Sequence, residues 1–101
     1  MSVLKVTKEL FESQIKTSDK VVMLDFYADW CGPCNMVAPI VAEIAEENPD
    51  YCIGKVNVDE EQELAISYGV SSIPTLLVFK NGQLVNKSVG AIPKQKILEM
   101  L

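Results

Sequence analysis

Two cysteines three positions apart, Cys31 and Cys34, carry the first chemistry in this chain. They lie in Trp30-Cys31-Gly32-Pro33-Cys34, where a β-like apolar run ends and a helical periodicity begins. Residues i and i+3 in a first helical turn stand about 5–6 Å apart, inside the Cα range a disulfide accepts. Such a pair can open and close with little backbone movement. Cys31, at the N-terminal edge, faces unpaired backbone N–H groups and the positive helix end, and both favour a thiolate. An ordinary thiol with a pKa of about 8.5 is only about 3% ionised at pH 7, so even a depression of about 1.5 units gives roughly tenfold more nucleophile. Pro33 fixes φ where its missing N–H costs nothing, and Gly32 leaves the backbone open to a partner.

Spacing alone leaves other uses open. A structural disulfide over four residues closes too small a loop to stabilise much. Zinc needs four ligands, and a chain with three Cys and no His offers no second pair, so no metal is expected. A chance Cys-x-x-Cys is common, but much less so between a strand and its helix with Gly-Pro inside. Cys52 falls in a strand and fits a small buried hydrophobe. Asp25 is the only charge in the apolar run 21–28. Burial there raises a carboxyl pKa and suits a proton acceptor; the alternative is a solvated carboxylate at the strand's edge. Lys55, between Gly54 and Val56, is open between a site lysine and a surface one. Pro74 on its own favours trans, since only about 5–6% of X–Pro bonds are cis.

Elements of alternating type must position these residues. Residues 3–6 suit a strand, and Thr7 can cap a helix burying Leu10, Phe11 and Ile15. Residues 21–28, apolar on both faces except at Asp25, suit a doubly covered central strand. Met36, Val37, Ile40, Val41, Ile44 and Ala45 recur at helical spacing, with a kink expected at Pro39 and an end at Asn48-Pro49. Residues 51–58 suit a third strand. Asp59-Glu60-Glu61-Gln62 predicts an acidic cap and capping box, and Gly69 the C′ glycine of that short helix. Residues 75–80 and 83–89 flank Asn81-Gly82, a strong hairpin signal. Pro93 opens a last helix burying Ile97, Leu98 and Leu101. The order βαβαβαββα predicts an α/β fold, with three parallel strands extended by an antiparallel hairpin into a mixed five-stranded sheet flanked by four helices.

The chain has 101 residues, 49% apolar, 23% charged, with a net charge of −5. That length suits one domain, 1–101, able to bury a core without disulfide staples. Acidity without a basic run argues against nucleic acid and anionic membranes. No apolar stretch approaches the roughly 20 residues a bilayer requires. The N-terminal residues 1–13 carry Lys5, Lys8, Glu9 and Glu12 and no apolar signal core, so a reduced, cytoplasmic protein is expected.

The segment Tyr27-Ala28-Asp29-Trp30-Cys31-Gly32-Pro33-Cys34 resembles the active-site segment of the thioredoxin family. Ala38-Pro39-Ile40, Lys55-Val56-Asn57-Val58-Asp59, Ile73-Pro74-Thr75 and Val89-Gly90-Ala91 follow in the family's order. The resemblance covers residues 3–101 and implies the thioredoxin fold. It also implies Cys31 as attacking thiolate, Cys34 as resolving thiol, and a reversible Cys31–Cys34 disulfide. Asp25 matches the family's buried carboxylate, Lys55 the lysine that modulates it, and Ile73-Pro74 the cis-proline loop. Trp30, Gly32, Pro33, Ile73, Pro74, Val89, Gly90 and Ala91 match a flat, mostly apolar docking surface. Tyr27 stands where many members have Trp. Asn35 stands where Lys or Arg is usual, which removes a positive charge near the thiols. Ser71-Ser72 leave the proline loop uncharged.

The function so implied is a protein-disulfide reductase and electron carrier in cell redox homeostasis. It would be a monomer using no cofactor, fed by a flavin/NADPH or ferredoxin-linked thioredoxin reductase and serving disulfide-bearing proteins. A non-catalytic assembly subunit is disfavoured by the intact cysteines. An oxidase or isomerase of secreted proteins is disfavoured by Gly-Pro between them. A metal or iron–sulfur carrier bridging a dimer is the remaining rival.

Overall fold

The computed structural model describes residues 3–101. Met1 and Ser2, the start of the expected 1–101 domain, lie outside the described residues. The elements run β1 (Val3–Lys5), α1 (Lys8–Leu10) continuing as π-helical turns Phe11–Ile15, β2 (Val21–Tyr27), α2 (Gly32–Glu47), β3 (Cys52–Asn57), α3 (Gln62–Ser67), β4 (Thr75–Lys80), β5 (Gln83–Val89) and α4 (Lys94–Met100). Strand order is β1-β3-β2-β4-β5. β3 lies parallel to both β1 and β2, while β4 is antiparallel to β2 and β5, giving the expected mixed sheet.

Strand alternation divides the core. Val22, Leu24 and Phe26 of β2 point to one face, where Phe11, Ile15 and Leu64 cover them. Met23 faces the other side, against Val37, Val41 and Ile44 of α2 and Ile97 of α4. Asp25, two residues on from Met23, therefore lies on the α2 face. Lys94 at the start of α4 pairs with Glu43 and Glu47 of α2, the latter at 2.8 Å.

Several local expectations change. β1 stops at Lys5, although the Val6 N–H still reaches the Lys55 carbonyl at 2.9 Å. Thr7 Oγ1 accepts the Leu10 N–H at 3.1 Å, as expected of the cap. The turn then widens, with the Lys16 N–H bonding Phe11 O at 2.9 Å. The acidic capping box before α3 is not made: Glu61 holds the N-cap position with no side-chain bond to the helix, its Oε1 accepting the Lys8 N–H at 2.9 Å instead. Asn57 secures the turn that leads into the helix, its Oδ1 accepting the Asp59 and Glu60 N–H groups at 2.9 and 3.3 Å. Gly69, at φ 66°, closes α3: its N–H meets Ile66 O at 3.1 Å and the Val70 N–H meets Ala65 O at 2.9 Å. Asn81 and Gly82 both have positive φ, 54° and 77°, as a two-residue hairpin turn requires. Met36, at helical spacing with the core residues of α2, is instead 70% exposed.

Candidate active site

The end of β2 and the start of α2 build the site. The Val58 N–H bonds Tyr27 O at 2.9 Å, and the Cys31 N–H bonds Ala28 O at 3.2 Å, which turns the chain directly into the helix. Cys31 is then the N-cap of α2, with Pro33 in the first turn. Its Sγ accepts the Cys34 N–H at 3.2 Å, where a Ser or Asp oxygen would sit in an ordinary cap. The two sulfurs are within bonding distance, with the Cα atoms 5.2 Å apart. Both cysteines are buried, 5% and 2% exposed, against Ala28, Tyr27, Val58 and Ile73. When the pair is reduced, the same N–H and the helix end face a Cys31 thiolate and favour the charge.

Asp25 is 4% exposed, and its Oδ1 has no hydrogen-bond partner among the described residues. Desolvation pushes its carboxyl up to about 7, opposed by the charge of Lys55. Lys55 is paired with Asp25 in the β2–β3 register, is itself exposed, and holds Nζ 5.8 Å from the Tyr27 ring centroid. An open cleft of about 510 Å³ leads past Ala38, Pro39, Ala42, Glu46 and Lys55 to Asp25. A route to water thus exists beneath α2.

The remaining expected residues gather at the helix start. Trp30 is 73% exposed, Val89 is 55% exposed, and Gly32, Pro33 and Ala91 are exposed. Ile73 and Gly90 are half-buried. The Ile73-Pro74 bond is cis. Pro74 itself is buried, and its carbonyl takes the Gly90 N–H at 2.8 Å, which holds the 89–91 loop to the proline loop. Cys52 lies apart, half-buried at the start of β3 opposite Val22, its thiol pushed up by burial. No group of three or more metal-ligating side chains occurs among the described residues.

Asp59 is a site residue that the sequence alone does not single out. Its Oδ2 accepts the Trp30 Nε1–H at 2.9 Å and orients the indole beside the cysteines. The acidic run after the third strand suggests only a helix cap there, and the family resemblance of segment 55–59 includes the residue without giving it a role.

A thioredoxin family model matches residues 2–101. The chain belongs to the thioredoxin family. It is 48% identical to a thioredoxin of Bacillus subtilis, over 100% of this chain and 96% of the relative. It is 47% identical to thioredoxin 1 of a Nostoc species, over 96% and 92%. In three dimensions it is similar to a mutant thioredoxin from Halobacterium salinarum: the TM-score is 0.90 at 38% identity, covering 98% of this chain and 87% of the other. A thioredoxin-family chain with its cysteine pair at bonding distance is a thiol–disulfide oxidoreductase, and such proteins act as protein-disulfide reductases.

Proposed function

We propose that Cys31 is the nucleophile and Cys34 the resolving thiol of this reductase. The Cys31 thiolate attacks one sulfur of a target disulfide, forms a mixed disulfide, and the other target sulfur leaves as a thiolate. Cys34, giving its proton to the Asp25 carboxylate, then attacks the Cys31 sulfur. The second target thiolate is released, and the target has gained the two electrons that the Cys31–Cys34 pair has lost. Lys55 limits how far burial raises Asp25, so that the carboxyl can exchange its proton near neutral pH. Trp30, Gly32, Pro33, Ile73, Val89, Gly90 and Ala91 receive the target, with Pro74 turning the chain behind them. The observation that carries the assignment is the Cys34 N–H donated to Cys31 Sγ at the helix N-cap.

The chain works as one domain, as a monomer, in electron transport in the cytoplasm. A thioredoxin reductase returns two electrons to the disulfide, drawing on NADPH through a flavin or on a ferredoxin-linked centre. No helix among the described residues is long and apolar enough to cross a membrane. Turnover of a disulfide-bonded protein substrate with a thioredoxin reductase and NADPH tests the assignment. Wild type should reduce it catalytically and Cys31→Ser should not; equal turnover by both would remove Cys31 from the mechanism.

A further inference from the structure

Met36 is a large apolar side chain of α2 that the fold leaves in water. It is 70% exposed, while its helical neighbours Val37, Val41 and Ile44 are buried. Its phase on the helix explains this. Met36 lies four residues after Gly32 and three after Pro33, so it shares their flank and not that of Cys34. Ile40, half-buried, continues the same flank one turn further. Asn35 beside it is exposed and brings no charge.

Cys31 is only 5% exposed, so a target that reaches its sulfur must close over the surrounding surface. An interface of about 1,000 Å² in total, near the lower limit for a specific contact, covers about 500 Å² on each partner, a disc of radius about 13 Å. Met36 stands about 7–8 Å along the helix axis from Cys31, at about 1.5 Å per residue, which is well inside that footprint. A methionine there offers a flexible, polarisable thioether that can adapt to differing partners and favours aromatic neighbours.

We propose that Met36 is a specificity-determining docking residue, packing against an aromatic or aliphatic side chain beside the target's disulfide and extending the docking surface past Gly32 and Pro33 along α2. This rests on the reductase reading of the Cys31–Cys34 pair. Two disulfide-bridged peptides, identical except for Phe or Ser flanking their cysteines, test it. Met36→Ser should lower kcat/KM for the Phe peptide about three- to tenfold, through KM with kcat unchanged, and leave the Ser peptide unaltered. Met36→Leu should keep the wild-type preference. Equal kinetics of wild type and Met36→Ser on the Phe peptide would overturn the inference, as would equal losses on both peptides. Wild type that reduces neither peptide would overturn the reductase reading as well, whereas the inference can fail alone with the Ser peptide still turned over.

Discussion

Among single residues, the site divides its labour by environment. In the proposed mechanism Cys31 draws its reactivity from its cap position, where a sulfur replaces the usual oxygen acceptor. Cys34, 2% exposed and one turn inside the helix, can meet that sulfur and little else. Cys34→Ser should therefore turn a catalyst into a trap. The nucleophile and its helix end are untouched, but the mixed disulfide lacks the intramolecular thiol whose effective concentration makes resolution fast. Non-reducing gels and mass spectrometry should find a target adduct through Cys31 in Cys34→Ser and none in Cys31→Ser. Cys52→Ser should behave as wild type. Trapping by Cys31→Ser as strong as by Cys34→Ser would reverse the assignment.

Asp25 is the residue whose role has a measurable thermodynamic shadow. Folding raises its carboxyl from 3.8 to about 7, so the native state holds that proton more tightly than the unfolded chain. Its contribution to stability is complete below about pH 4, declines as pH rises from about 4 to about 7, and is absent above. At about 1.36 kcal/mol per unit, wild type should lose about 2–3 kcal/mol between pH 5 and pH 8 that Asp25→Asn retains. Urea titrations of the oxidised proteins at the two pH values read this loss; parallel losses in both would mean the carboxyl is solvated. The same substitution should slow turnover more than it weakens docking, because Asn cannot accept the Cys34 proton.

Among the elements, turns and caps hold the geometry, and their legibility in the sequence is uneven. The hairpin at Asn81-Gly82 is plain there because positive φ at two successive residues has few solutions. Gly82→Ala makes a clear test. A Cβ there would strike the backbone carbonyl of Lys16, and φ is 77°. We expect a loss of about 2 kcal/mol or more in stability with the active-site pair still able to form its disulfide; an unchanged denaturation midpoint would contradict the turn geometry. The start of α3 is less legible. A run of acids suggests a capping box, whereas the side-chain bonds are made one step earlier, from Asn57 at the end of β3 to the Asp59 and Glu60 N–H groups of the turn before the helix. Side chains that bond their own turn are decided by local geometry, which composition does not reveal. Met36 departs from its expected place for a related reason: helical spacing sets a period, but the phase of the buried stripe depends on what lies beneath the helix.

In the molecule as a whole, the sheet brings the parts of the site together. β2 lies between β3 and β4. It therefore presents Asp25 beside Lys55 on one neighbour and Leu76 on the other, while its end delivers Cys31 to the start of α2. The order of strands and helices is readable from hydrophobic periodicity and turn residues. The meeting of residues 30, 59, 73 and 89 at one end is not, because it depends on contacts between distant loops. For residues 30, 73 and 89 the resemblance to a known family supplies it; Asp59 lies in a segment that shares the resemblance, but its bond to Trp30 is seen only in the fold. This assembly donates electrons to protein disulfides, and its thermodynamic signature is the reduction potential of the Cys31–Cys34 pair. Equilibration against a glutathione or dithiothreitol couple measures it. The expected value is that of a reducing centre, more negative than about −230 mV. A value near about −120 mV, that of a dithiol that oxidises its partners, would contradict the direction of electron flow proposed here.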